Sequence, residues 1–197
     1  MNPRIIITGA GGYLGSVLQE RFPKQGWDVV RWSRQGGDIK FVLGEEPPAI
    51  HLAGARALIH CAYDFGPSTR SEARRVNLAG SLKLLAAACA AKIPRIVFIS
   101  TMSAFSGCVS IYGQIKLEVE QFCLPRGVMC VRPGLLWSDR PRGIYQRLEN
   151  MTRQLPLLPL LGGGRQKLAF SHAEDLAAGL EKFCRGRSDQ RSPGRTH

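Results

Sequence analysis

The sequence predicts an α/β fold built around a doubly wound parallel sheet, and three observations carry that prediction. Apolar runs rich in β-branched residues recur at Ile5–Thr8, Asp28–Trp32, Ala57–Ala62, Arg95–Ser100 and Val128–Val131, with stretches of helical character between them. The runs around Ile5, Leu58 and Ile96 are continuously apolar, as strands covered on both faces are. The first run opens directly into Thr8-Gly9-Ala10-Gly11-Gly12-Tyr13-Leu14-Gly15 and then into an amphipathic stretch ending near Phe22. A strand, a glycine turn and a helix in that order let backbone N–H groups and the positive end of the helix dipole meet a pyrophosphate.

Taken in order, the helices that join the strands are Tyr13–Phe22, Ser71–Ala91 and Ile111–Phe122, the second rich in Ala and Leu with Pro94 just beyond it. Residues 37–56 read as a short strand near Ile39–Val42 and a short helix or loop after Pro48. Past Pro133 the expected elements are a helix near Gly143–Arg153, a Leu/Pro/Gly segment at Leu155–Gly164, a short strand at Lys167–Ser171 and a helix at Ala173–Cys184. Residues 186–197 are basic, lack apolar periodicity and read as a disordered tail. The chain thus reads as one domain over 1–185, in which 134–185 form a small substrate-side region.

With 197 residues and 44% hydrophobic content the chain can bury a proper core. No apolar run approaches the ~18 residues of a membrane span, and no charged leader with a cleavage site precedes the first strand, so a soluble, unexported, cytoplasmic protein is expected. Cysteines at 61, 89, 108, 123, 130 and 184 form no C-x-x-C pair and no zinc spacing, which suits reduced thiols and no metal. The net charge of +12 comes mainly from arginine. No basic cluster is interleaved with aromatics, so a solvated basic surface is expected, not a nucleic-acid partner.

Gly9, Gly12 and Gly15 recur every third residue, whereas the general G-x-G-x-x-G fingerprint would need a glycine where Leu14 stands. About one hundred residues downstream, the Arg95–Ser100 strand delivers Thr101-Met102-Ser103, followed by Tyr112-Gly113-Gln114-Ile115-Lys116. On a helix, Tyr112 and Lys116 share one face, about 6 Å apart along the axis. An ammonium so placed is expected to lower the tyrosine pKa toward working pH for acid or base work, and Lys116 can also reach a cofactor ribose. In a parallel sheet the glycine turn, these hydroxyls and the Tyr-Lys helix meet on one carboxyl edge.

On these residues the chain resembles the short-chain dehydrogenase/reductase superfamily, in particular its extended and atypical branch of NAD(P)-dependent epimerase/dehydratase-like proteins, which have a Rossmann fold. The matching stretches are T-G-A-G-G-Y-L-G, I-H-C-A-Y-D at 59–64, V-N-L-A-G-S at 76–81, R-I-V-F-I-S-T-M-S-A at 95–104, Y-G-Q-I-K at 112–116 and V-R-P-G at 131–134, with a weaker echo at 170–177. The resemblance implies that Gly9, Gly12, Tyr13 and Leu14, in the turn closed by Gly15, surround a pyrophosphate. It implies that Ala62 and Tyr63 flank the adenosine side, that Asp38 and Ile39 lie against adenine, and that Pro133 borders the nicotinamide. Tyr112 would be the acid/base and Lys116 its electrostatic partner. The hydroxyl partner is Thr101, with Ser103 as its rival, and Asn77 is either a structural asparagine behind the site or a solvated helix residue.

After the second strand the chain has Trp32-Ser33-Arg34, and Asp28 stands at that strand's start, too early to bind a ribose. Arg34, assisted by Ser33, suits the 2′-phosphate of NADP, with NAD the alternative. Extended members carry a sizeable C-terminal substrate domain, and this chain has a reduced one. The expected activity is hydride transfer at nicotinamide C4 coupled to proton transfer through Tyr112, by an oxidoreductase or epimerase/dehydratase, on a small carbonyl or nucleotide-sugar-like substrate. The alternative is a catalytically inactive NADP(H)-binding sensor or interaction module. The resemblance also raises a homodimer through the Ser71–Ala91 and Ile111–Phe122 helices.

Overall fold

The computed structural model describes residues 1–139 and 169–186. Six strands, β1 (Arg4–Thr8), β2 (Asp28–Ser33), β3 (Ile39–Lys40), β4 (Ala57–His60), β5 (Arg95–Ile99) and β6 (Met129–Val131), form one parallel sheet in the order β3-β2-β1-β4-β5-β6. The order reverses between β1 and β4, so the switch-point crevice opens where Thr8 pairs with His60.

Alternation along each buried strand explains why both faces are covered. Ile6, Leu58, Ile96 and Phe98 face a core completed by Trp32, Leu84, Leu85 and Val119, while Ile5, Ile7, Ile59, Val97 and Ile99 face a second one with Leu14, Leu18, Phe22 and Leu180. The first core is roofed by α3 (Gly80–Ala90) and α4 (Ile111–Cys123), the second by α1 (Tyr13–Lys24) and α5 (Ala173–Arg185). The cap of α4 is Ser110, whose side chain accepts from Gly113 N at 3.1 Å. Glu174 and Asp175 in the first turn of α5, and Lys182 and Arg185 in its last, complement the helix dipole.

Two elements differ from the sequence reading. The expected helix Ser71–Ala91 is broken into α2 (Arg70–Ala73), a π-helical stretch (Arg74–Ala79) and α3. At that junction Gly80 lies so close to the chain at Gly44 that a Cβ would come within 2.4 Å of Gly44 N. A strand absent from the sequence reading, β7 (Leu135–Trp137), pairs in parallel with β8 (Phe170–His172), which overlaps the expected Lys167–Ser171 strand at Phe170–Ser171; Lys167 and Leu168 lie outside the described residues. The short helix or loop expected after Pro48 is a 3-10 turn at residues 49–52. The helix expected near Gly143–Arg153 and the segment Leu155–Gly164 lie outside the described residues, as does the tail from 187. Among the described residues no helix is long and apolar enough to cross a membrane.

Candidate active site

The glycine turn owes its triplet spacing to sterics. Gly9 has φ +67°, and a Cβ there would sit 2.8 Å from the Ala62 Cα; a Cβ on Gly15 would sit 2.2 Å from the Gly9 oxygen. Gly9 thus lets the exit of β1 pass against the exit of β4, and Gly15 lets α1 settle onto the turn. Gly12 is the N-cap of α1 and supplies no capping side chain, so the first-turn amides at Tyr13 and Leu14 are left for another acceptor. The Tyr13 side chain leaves the turn altogether: its hydroxyl donates to Ser138 Oγ at 2.8 Å, beside a small cleft of about 260 Å³ that also borders His172 and Glu20. Leu14 is buried in the core.

Above the turn lies a cleft of about 850 Å³, and it gathers Gly9, Gly12, Ser33, Arg34, Ala62 and Tyr63 from the sequence reading. Arg34 stands at the exit of β2 and reaches Asp64 across the cleft at 3.5 Å. Ser33 donates its hydroxyl to the Gln35 carbonyl, inside the β2–β3 turn. Asp38 and Ile39 are not in the cleft lining. The register pairs Trp32 with Ile39, so Asp38 falls opposite Arg31 and is bound by it through the backbone N–H at 2.8 Å and the guanidinium at 2.7 and 3.1 Å. These bonds hold the Asp38 carboxyl below its ordinary range. Ile39 packs into the core, and Lys40 and Phe41 line the cleft in their place.

Asn77, in the π-helical stretch, is fully buried and not solvated. Its Oδ1 accepts from Asp64 N at 2.7 Å and its Nδ2 donates to Asp64 O at 2.8 Å, which clamps the loop after β4.

Tyr112 and Lys116 share a face of α4 as their spacing requires, but the electrostatics differ from the expectation. Lys116 is 3% exposed, and its ammonium donates to the Ile99 carbonyl at 2.6 Å. It lies 4.5 Å from the centre of the Phe98 ring and 5.8 Å from that of Tyr112. Burial pushes Lys116 down to about 8, against the opposing pull of Cys61 and Glu120. The Tyr112 pKa is raised, not lowered: burial of the ring dominates, and the hydrogen bond with the Thr101 side chain offsets only part of it. Thr101 is therefore the hydroxyl that meets the phenol. Ser103 is exposed, and its backbone N–H donates to Thr101 Oγ1 at 3.2 Å. Gly113 is required where α4 meets this loop, because a Cβ would stand 2.3 Å from the Ser103 oxygen.

Sequence reasoning missed two polar elements behind these groups. His60 is fully buried on β4, joined to Thr8 Oγ1 at 2.7 Å and Ser81 Oγ at 3.0 Å. Burial, with the nearby Lys116 charge, pushes it down to about 3, so the ring is neutral. Glu120, one turn beyond Lys116, is 5% exposed and accepts from Nε and Nη2 of Arg132, one on each carboxylate oxygen. Burial raises its pKa, but Arg132, Ser100 and Lys116 together outweigh that and hold the carboxyl below its ordinary range. The i,i+4 spacing of Lys116 and Glu120 was the available signal. Pro133 is half-buried at the exit of β6, outside the lining of the large cleft; the next residue, Gly134, donates its N–H to Ser171 Oγ at 3.0 Å. Among the described residues no cluster suits a metal ion.

A family model described as the NAD dependent epimerase/dehydratase family matches residues 5–194. The chain belongs to that family. Among the family's curated relatives, a ceramide reductase of Caulobacter vibrioides is 29% identical over 92% of this chain and 61% of its own length. A 2-alkyl-3-oxoalkanoate reductase of Stenotrophomonas maltophilia is 24% identical over 88% of this chain and 63% of its own. The chain thus spans about three-fifths of the length of these relatives. The structure of MoeE5 in complex with UDP-glucose and NAD superposes with a TM-score of 0.78 at 21% identity, over 95% of this chain and 73% of that one, which shows the shared fold.

Proposed function

We propose that this family member is an NAD(P)-dependent oxidoreductase of the epimerase/dehydratase or reductase type. The observation that carries the reading is the assembly of the Thr101 hydroxyl, the Tyr112 phenol and the buried Lys116 ammonium on the same sheet edge as the glycine-lined cleft. The cleft fits a dinucleotide on its own terms: Gly9, Gly11 and Gly12 line it without side chains, no side chain caps α1, and Arg34 and Lys40 stand on its adenosine side. When bound, a nicotinamide dinucleotide supplies a hydride donor or acceptor. The Gly12, Tyr13 and Leu14 backbone would hold its pyrophosphate, Ala62 and Tyr63 its adenosine side, and Pro133 the nicotinamide end. Arg34 and Lys40 favour NADP over NAD, because each offers a cation to a 2′-phosphate.

Tyr112 keeps its proton at neutral pH because burial raises its pKa, so it serves as the proton donor to a substrate oxygen that gains charge. Thr101 orients that oxygen by a hydrogen bond. Lys116, still largely protonated below pH 8, stabilises the phenolate left behind. The named relatives span ceramide and 2-alkyl-3-oxoalkanoate reductases as well as a UDP-glucose-binding protein, so the substrate class is a carbonyl or alcohol, either simple or sugar-nucleotide-borne. Residues 134–185 would form its small substrate-side region. A cytoplasmic setting suits six free thiols, and a homodimer through the outer faces of α3 and α4 completes the reading. Tyr112→Phe should bind NADPH with unchanged affinity and lose turnover by at least about a hundredfold; full turnover in that variant would sink the mechanism.

A further inference from the structure

The two loops that flank Tyr112 carry no cation and expose four large apolar side chains among their small and hydroxyl residues. Residues 61–69, between β4 and α2, and residues 101–110, between β5 and α4, contain neither Lys nor Arg. On the first loop Phe65 is 78% exposed, although its ring centre lies 5.7 Å from that of Tyr112 and 4.7 Å from that of Tyr63. On the second, Met102, Phe105 and Val109 are exposed, Met102 next to Thr101 and Val109 next to the α4 cap. These four, all on the two loops beside Tyr112, are among nine exposed large apolar side chains in the described residues. Grouped beside a polar site, they mark a binding surface.

The surface is held in place. Ala104 N donates to Thr101 O and Cys108 N to Phe105 O, each at 3.1 Å, and the loop abuts Gly113 with no room for a side chain. The cations that follow or reach the first loop are already engaged: Arg70 donates to Gln114 at 2.8 Å, Arg74 makes a two-armed pair with Glu118 at 2.7 and 2.8 Å, and Arg34, from the exit of β2, pairs with Asp64 at 3.5 Å on the cleft side. A diphosphate laid across these loops would find no cation on them, whereas a hydrocarbon would find four apolar side chains.

We propose that the substrate's carbonyl carbon bears a linear alkyl or acyl tail that lies over Phe65, Met102, Phe105 and Val109. The inference rests on the reading of Tyr112 as the proton donor. Each methylene drawn fully out of water is worth about a fourfold gain in binding, and about half of that free energy, hence about twofold, on an open surface.

The test measures NADPH consumption by the full chain with methyl 3-oxoalkanoates, from the acetoacetate to the 3-oxododecanoate. Beside it run calorimetric titrations of 2-dodecanol, 2-butanol and UDP-glucose in the presence of NADPH. The expected result is a kcat/KM that rises about twofold per methylene, and 2-dodecanol binding far tighter than 2-butanol. Phe65→Ser combined with Phe105→Ser should lower the long-to-short ratio of kcat/KM at least about tenfold and weaken 2-dodecanol correspondingly; Phe105→Ser alone serves if the double variant fails to fold. No turnover of any ester, with 2-dodecanol binding that the variant loses, would defeat the oxidoreductase reading and leave the tail surface standing. Turnover without chain-length dependence, a ratio the variant leaves unchanged, or UDP-glucose binding that the variant abolishes would overturn the tail surface and spare the oxidoreductase reading. No turnover and no 2-dodecanol binding would overturn both.

Discussion

Lys116 spends a hydrogen bond on the Ile99 carbonyl at 2.6 Å, which ties α4 to the last residue of β5 and keeps the ammonium beneath the aromatic rings of Phe98 and Tyr63. Its folded-state pKa of about 8 lies below the ordinary 10.5. Below pH 8 both folded and unfolded chains carry the charge, and the folded state bears the cost of burying it. Between about 8 and 10.5 the unfolded chain alone stays protonated, so stability contributed by this group rises with pH, by roughly 3 kcal/mol across that window. Urea unfolding of the wild type and Lys116→Met at pH 7.5 and pH 10 checks this: the wild type should gain on the variant at the higher pH. A constant difference between the two would show that the ammonium is not desolvated.

His60 gives a dependence of the same sign, in the acid range. Its ring is held neutral between Thr8 and Ser81, with a pKa of about 3 against an ordinary 6.5. As pH falls from 6.5 toward 3 the unfolded chain binds a proton that the folded one refuses, so stability is lost on acidification, by roughly 3 kcal/mol at pH 4. His60→Asn should be less stable at pH 7 and show a flatter decline in thermal midpoint between pH 6.5 and 4. A parallel decline in both proteins would assign the acid sensitivity to other groups.

The parts of this fold that were legible in the sequence are those fixed by burial on two faces. Ile5-Ile6-Ile7 and Leu58-Ile59 read as strands because each residue enters one core or the other. What was not legible depends on contacts distant in sequence. The π-helical stretch lies where Gly80 meets Gly44. Asp38 leaves the cleft lining because of a register that only the paired strands reveal. The Tyr112–Lys116 spacing showed a shared face correctly, yet it could not show that the ammonium would be drawn to Ile99 or that burial would outweigh it at the phenol. Leu135–Trp137 is three residues after a Pro-Gly pair, too short to carry a period.

Two glycines of one turn should respond differently to the same change. Gly9→Ala meets a left-handed φ and the Ala62 backbone at 2.8 Å, whereas a Cβ at Gly11 finds nothing within 4 Å. Gly9→Ala is expected to cost about 2–3 kcal/mol or more, and Gly11→Ala less than about 1 kcal/mol. Chemical denaturation midpoints measure both. Equal losses would mean that the turn is not set by the approach of β1 to β4.

The proposed role of Arg34 in selecting the cofactor can be tested directly. Its side chain is 67% exposed, and its 3.5 Å pair with Asp64 is a surface ion pair worth about 0–1 kcal/mol. Charge-assisted hydrogen bonds to a phosphate are worth about 1.5–3 kcal/mol, so a 2′-phosphate can draw Arg34 away from Asp64 at little cost. Arg34→Ser should therefore weaken NADPH about tenfold or more and leave NADH within about threefold, because NADH lacks the group that Arg34 would meet. Lys40 lines the same cleft and would offer a second cation to a 2′-phosphate. Adding Lys40→Ser should then remove most of the remaining preference for NADPH over NADH. Calorimetric titration of the wild type and both variants with the two dinucleotides decides the point. An equal loss for NADPH and NADH would show that Arg34 supports the cleft through Asp64 and takes no part in recognising the phosphate.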